Sequence, residues 1–308
     1  MRIGVDLGGT KTEALALDDA GHELRRVRIP TPQQDYAGTV RTIATLVHDL
    51  EREIGTQGTV GVGIPGTITA ATGLVKNANS TWLNGQPLER DLSDTLSREV
   101  RCANDANCFA ISEATDGAAA GAEVVFGVIL GTGCGGGVVV RGALLTGPNG
   151  LAGEWGHTAL PWPSADEWPG PQCYCGRRGC LETWISGPAF ERDFERVAGR
   201  SLRSAEIVAA AVGGDAEAEA ALERLEDRIA RGLSSVVDIV DPDVIVLGGG
   251  LSRIDRLYSG SIAARLRDYG FGGGVETPIR RNLHGDSSGV RGAAWLWPAA
   301  PSVHPTQR

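Results

Sequence analysis

Apolar positions come in short blocks at the start of the chain and in three- and four-residue steps further on, and the switch in period lays out the elements. Ile3–Leu7, Glu13–Leu17 and Glu23–Ile29 read as strands separated by turns that contain glycine. A helix is predicted near Tyr36–Ile54. The next apolar run, Val60–Ile64, stops at Pro65-Gly66-Thr67, a loop at a strand's C-terminal edge, where α/β folds place ligands. A polar loop over Lys76–Gly85, a helix around Leu88–Arg98, a strand from Val100 running into Asn104-Asp105 and an Ala-rich helix through about Ala120 follow.

Near Glu123 the plan starts again. Gly127–Leu130, Gly131-Thr132-Gly133 and Cys134–Val140 form a second strand, turn and strand. Pro148–Gly187 shows no periodic pattern, and a loop of that length inside a domain is expected to be functional or cross-linked. Helices resume after Pro188, and Leu222, Leu225, Ile229, Leu233, Val236 and Val240 mark one buried helix face, ended by Asp241-Pro242-Asp243. Val244–Leu247 is a buried strand that opens into Gly248-Gly249-Gly250. The repeat divides the chain into an N-terminal lobe, residues 1–118, joined by a C-terminal helix near 289–298, and a C-terminal lobe, residues 119–288; residues 299–308 are expected to be a disordered tail.

Composition narrows the function. The chain has 308 residues, 42% hydrophobic and 22% charged, enough for one large core or two moderate ones. A net charge of −9 opposes an extended nucleic-acid surface, which needs clustered basic residues. No apolar run reaches the roughly 18–20 residues of a membrane span, and Met1-Arg2-Ile3 leads into a strand, so the expectation is a soluble, cytoplasmic protein. Small anions remain within reach. The turns Gly8-Gly9-Thr10 and Gly131-Thr132-Gly133 offer backbone N–H groups with no Cβ in the way, and two such turns suit one polyphosphate. Lys11, one of only two lysines beside Lys76, stands next to the first turn.

His157, Cys173, Cys175 and Cys180 are the most specific chemical signal. One imidazole and three thiolates satisfy tetrahedral zinc, and a closed set of four implies a structural ion. Reduced, unmetallated thiols are the other reading; a disulfide is disfavoured in the cytoplasm. Cys102, Cys108 and Cys134 read as small buried side chains. Glu154 and Glu182 flank the ligands, so an ion there fixes two carboxylates suited to vicinal hydroxyls of a sugar. Asp105, with Asn104 beside it, is placed to accept a proton from an attacking hydroxyl, and Asp6 to hold magnesium through water.

In order along nearly the whole chain, Asp6–Lys11, Asn104-Asp105, Leu130–Gly133, Gly153–His157, Cys173–Glu182 and Leu247–Gly250 resemble the ROK (repressor, open reading frame, kinase) family. Lys76–Gly85, Asn104–Cys108 and His284–Trp297 look like its bacterial fructokinase branch, the manno(fructo)kinase type. The resemblance implies an α/β, two-lobed actin/hexokinase-like ATPase fold, a duplicated RNase H-like architecture with a zinc-stabilised loop. It implies ATP as co-substrate, Mg2+ as cofactor, structural Zn2+ and a hexose in the cleft, with homodimers common. By position, Asp105 would be the base for the O6 hydroxyl, and Gly66, Asn79, Asn104, Glu154, His157 and Glu182 would hold the sugar. Asp6, Gly8, Gly9, Thr10, Lys11, Gly131, Thr132 and Gly133 would surround phosphate and magnesium, and Gly248, Gly249 and Gly250 would approach the adenosine. His157 would give one ring nitrogen to zinc and the other to a hydroxyl.

The leading expectation is ATP-dependent phosphorylation of D-fructose to D-fructose 6-phosphate, with mannose and glucose as further substrates. A glucokinase or N-acetylhexosamine kinase on the same scaffold is the near alternative, since the sugars differ by a few hydrogen bonds of about 1 kcal/mol each. A DNA-binding sugar sensor would need an added helix-turn-helix before the first strand, and a catalytically silent sugar-binding protein would have no use for both Asp6 and Asp105. A Rossmann dehydrogenase is disfavoured because Gly248-Gly249-Gly250 comes late and lacks the spaced glycine fingerprint.

Overall fold

The computed structural model describes residues 1–297. The expected disordered tail, 299–308, lies outside them. In chain order the strands and helices are β1 (Arg2–Leu7), β2 (Lys11–Leu17), β3 (Glu23–Pro30), α1 (Tyr36–Ile54), β4 (Thr59–Ile64), β5 (Thr67–Ile68), β6 (Val75–Lys76), α2 (Leu88–Leu96), β7 (Val100–Asn104) and α3 (Asp105–Thr115). They continue with β8 (Val124–Leu130), β9 (Cys134–Val140), β10 (Ala143–Leu144), α4 (Glu182–Ile185), α5 (Gly187–Ala198), α6 (Ser204–Val212), α7 (Ala216–Val240), β11 (Val244–Gly248), α8 (Ser261–Tyr269), β12 (Ile279–Arg281) and α9 (Ser288–Trp295).

These elements make two compact units. Among the described residues, one contains Met1–Asp116, Gly142–Ala152 and 286–297; the other contains Gly117–Arg141 and Gly153–Gly285. The sequence reading put 142–152 with the second lobe. The structure packs it on the first, where Lys76 Nζ reaches the Asn149 carbonyl at 3.5 Å and the backbone at Gly150 comes close to Thr67.

The first unit is a sheet in the order β3-β2-β1-β4-β7. β1 pairs antiparallel with β2 and parallel with β4, and β4 is parallel to β7. Its core joins Ile3, Val5 and Leu7 to Val60, Val62 and Ile64 and to the apolar face of α1. That helix starts at Asp35, whose carboxylate accepts the Gly38 N–H, and stops at Gly55 in the left-handed conformation. The opposite face is covered by α9, and glycine makes this possible. A Cβ on Gly4 or Gly61 would run into the α9 backbone at Val290 or Ala293, and one on Gly292 into Cys108 of α3. The helix expected to reach about Ala120 ends at Thr115 instead. Asp116 leaves the helical path, and its carboxylate takes the Trp295 indole N–H at 3.1 Å and an ion pair from Arg291, which overrides the helix propensity of the alanines beyond.

The second unit repeats the design. β8 pairs antiparallel with β9 and parallel with β11, and β11 is parallel to β12. Leu222, Leu225, Ile229 and Leu233 of α7 enter the core with Phe126, Val128, Ile245 and Leu247, and Val236 and Val240 pack at its margin. Asp215 caps the helix start by accepting from Glu217 and Ala218, and Asp241 ends it at φ 48°. Among the described residues, no helix is long and apolar enough to cross a membrane.

Candidate active site

In the first unit, Leu7 pairs with Thr12 across the turn Gly8-Gly9-Thr10, tightened by the Gly8 N–H to the Lys11 carbonyl at 3.1 Å. Thr31 props the turn from β3's end, its hydroxyl donating to the Gly8 carbonyl at 2.8 Å. Gly9, Thr10 and Lys11 are exposed. Ser80, which sequence reasoning passed over, lies beneath: its buried Oγ has no hydrogen-bond partner among the described residues and is 3.4 Å from where a Gly9 Cβ would be. A hydroxyl left unsatisfied below an anion-ready turn is the signal, and only the fold reveals it.

Asp6 ends β1 in a slot bounded by Gly63 and Gly289, where Cβ atoms would stand 3.8 and 3.6 Å from its carboxylate. Burial, then the negative charges of Asp105 and Glu13, push Asp6 up to about 6. Asp105 opens α3 at an exposed position and takes the Ala106 N–H at 2.8 Å; the surrounding protein pushes its carboxyl up as well. A buried carboxylate raised further by a neighbouring one is what a divalent cation relieves, so Asp6 and its glycine-lined slot fit magnesium. Asn104 caps α3, its Oδ1 accepting the Asn107 N–H at 2.8 Å. Gly66 is boxed by the Lys76 carbonyl and Ala78 at 2.7–2.9 Å from a Cβ, and Asn79 is exposed with its N–H on the Pro65 carbonyl at 3.3 Å. Beside Asn104 lies a cavity of about 420 Å³ walled by Thr67, Ile68, Cys102, Asn107 and Ile111. The Asn107 Oδ1 is buried there without a partner among the described residues, and Cys102, expected buried, is only half so.

In the second unit, Leu130 pairs with Cys134 across Gly131-Thr132-Gly133. Gly249, at φ 78°, rests on this hairpin, since a Cβ there would meet the Leu130 carbonyl at 2.5 Å. Gly248-Gly249-Gly250 and the second glycine turn are therefore neighbours. Gly153–His157 closes over β9 because Gly136 and Gly156 have no side chains, and Trp155 anchors it, its indole N–H donating to the Gly135 carbonyl at 3.0 Å and its ring edge-on to Phe126. Glu154 and His157 flank that anchor, both half-buried. Glu182 is placed otherwise than expected: its Oε2 accepts the Cys134 N–H at 3.0 Å and fills the space a Gly133 Cβ would need at 2.7 Å. It braces the glycine turn in this structure.

His157, Cys173, Cys175 and Cys180 converge, their ligand atoms all within 4.8 Å of one another. His157 Nδ1 lies 3.6 Å from Cys173 Sγ, and Cys175 Sγ 3.6 Å from Cys180 Sγ. Ligands about 2.3 Å from a tetrahedral zinc are about 3.8 Å apart, whereas a disulfide needs about 2.05 Å. The cluster fits zinc and is not disulfide-bonded. Arg177, through its N–H and side chain, draws the Cys175 thiol down to about 6, while burial pushes Cys180 up to about 12. His157 Nε2 points away from the thiols and meets the Tyr174 hydroxyl at 2.8 Å.

The ROK family pattern matches residues 2–300. An N-acetyl-D-glucosamine kinase of Pectobacterium atrosepticum is 40% identical over 300 residues, covering 96% of this chain and 98% of its own. A ROK hexokinase from Thermus thermophilus superposes with a TM-score of 0.85 at 34% identity, covering 96% of this chain and 97% of the other. A ROK family glucokinase from Streptomyces griseus, in complex with glucose and AMPPNP, gives 0.73 at 28% identity, covering 96% and 98%.

Proposed function

The chain belongs to the ROK family, and on that footing we propose that this ATP-dependent sugar kinase phosphorylates an N-acetylhexosamine, first of all N-acetylglucosamine, at O6. The observation that carries the choice of sugar is the 40% identity, over almost the full length of both chains, to an N-acetyl-D-glucosamine kinase. Fructose, the leading expectation from sequence, has no such support. The cavity beside Asn104 agrees with an acetamido group, since Ile68 and Ile111 offer a wall for its methyl.

Asn79, Asn104, Glu154 and Glu182 hold the sugar in this reading, with His157 behind the Tyr174 hydroxyl, Gly66 at the sugar's edge and Glu182 leaving the Cys134 N–H to do so. Asp105 takes the proton of the O6 hydroxyl as that oxygen bonds to the γ-phosphorus, the bond to the β-bridging oxygen breaks and ADP departs. Magnesium, when bound, neutralises phosphate charge. Asp6 would hold the ion, the N–H groups of Gly9, Thr10, Thr132 and Gly133 would bind the phosphates with Lys11 while those of Gly8 and Gly131 close the two turns, and Gly248–Gly250 would adjoin the adenosine. His157, Cys173, Cys175 and Cys180 would hold zinc, which would tie them together and so fix the neighbouring carboxylates.

ADP release with magnesium and ATP, measured against N-acetylglucosamine, N-acetylmannosamine, glucose, mannose and fructose, tests this. The highest kcat/KM is expected with N-acetylglucosamine; a higher value with fructose or glucose transfers the assignment to that sugar, and no sugar-dependent release removes it. Asp105→Asn is expected to cut kcat about 10²–10⁴-fold with sugar binding retained.

A further inference from the structure

Tyr174 stands between two of the thiols, so its backbone is fixed from both sides, yet its side chain is 78% exposed. Its hydroxyl lies 2.8 Å from His157 Nε2, and the two rings meet edge to face with centroids 5.0 Å apart at 86°. The phenol thus sits across the nitrogen from which a sugar hydroxyl was expected to receive its hydrogen bond. Proton counting fixes the direction of the contact. Nδ1 faces Cys173 Sγ, and a ring nitrogen that ligates a metal carries no proton, so with zinc bound the imidazole proton is on Nε2 and the Tyr174 oxygen accepts it. A phenol that accepts still has its own O–H to give. Among the described residues His157 is the one hydrogen-bond partner of that hydroxyl, so the O–H is directed to something outside the protein.

Building on the kinase reading above, we infer that Tyr174 is a specificity-determining residue for the sugar. Its oxygen locks the His157 ring, and its O–H donates to an oxygen of the bound sugar, so the contact expected of His157 is delivered one bond further out. The exposed ring also gives the C–H face of a hexose an apolar surface to lie on.

Tyr174→Phe keeps the ring and removes only the oxygen. We expect sugar Kd, by calorimetry, and KM to rise about five- to tenfold, the loss of one neutral hydrogen bond, with kcat within about twofold of wild type and the zinc content unchanged. Tyr174→Gln, which can both accept from Nε2 and donate onward, is expected to recover part of the affinity. A Phe variant that binds sugar as tightly as wild type, or more tightly, overturns the proposal, because the phenol would then be neutral or an obstruction. Loss of zinc in that variant overturns it too, since the hydroxyl would be serving the metal loop alone. Failure of wild type to bind any hexose on the panel would instead defeat the kinase reading, before any variant is made.

Discussion

Asp6, the carboxylate proposed to hold magnesium, works against its own fold. Its carboxyl is raised from 3.8 to about 6, so between those pH values the folded chain holds a proton that the unfolded chain has released. Stability from this group is therefore full below about pH 4 and is lost as pH rises through about 6. Asp6→Asn removes that loss, and at pH 7 denaturant unfolding should show a gain on the order of 2 kcal/mol while magnesium-dependent turnover collapses. A variant no more stable than wild type would mean that the charge is already relieved. The convergence of His157, Cys173, Cys175 and Cys180 was legible from their spacing, and the places of Asp6 and Asp105 at strand ends from the apolar runs before them. Ser80, the brace from Glu182 to the Cys134 N–H and the Tyr174–His157 contact were not, because each depends on where a side chain turns, which no periodicity encodes.

At the scale of elements, the stretch without periodicity is held by charge as well as by its thiols. Glu167 is buried and receives Arg228 Nε at 2.8 Å and Arg231 Nη1 at 2.9 Å, and Arg228 also pairs with Asp193 of α5. Burial alone would raise Glu167; the hydrogen bonds from Arg231 and Arg228 win and hold it down at about 2. Its stabilisation is present above about pH 4.5 and is lost as pH falls toward 2, about 3 kcal/mol over that window. Glu167→Gln at pH 7 should cost about 3–5 kcal/mol in chemical unfolding by leaving two guanidinium groups underpaired, and should flatten the acid limb of the stability profile. An unchanged acid limb would place the proton uptake elsewhere. The strands and long helices were readable from apolar period, as α7 shows. The end of α3 was misread because its alanines favour continuation while Arg291 and Trp295, remote in sequence, draw Asp116 aside.

On the scale of the whole molecule, the duplicated strand-turn-strand plan was legible because two apolar strands flank a glycine-rich turn in both places. The membership of 142–152 in the first unit was not, since it rests on contacts to β5 and β6 rather than on composition. The seat of α9 is a third long-range feature. Gly292→Ala improves helix propensity by about 1 kcal/mol, but its Cβ would strike the Cys108 carbonyl of α3, so a net loss of about 1–3 kcal/mol or more is expected in thermal or denaturant melts. A gain would show that the two helices can part without cost. The same seat sets an order in time. β1 and β4 are synthesised before the second unit, but the helix that covers them, α9, follows the whole of it. The first unit is thus sealed only after the second has been made, and until then a nascent chain carries an open apolar sheet.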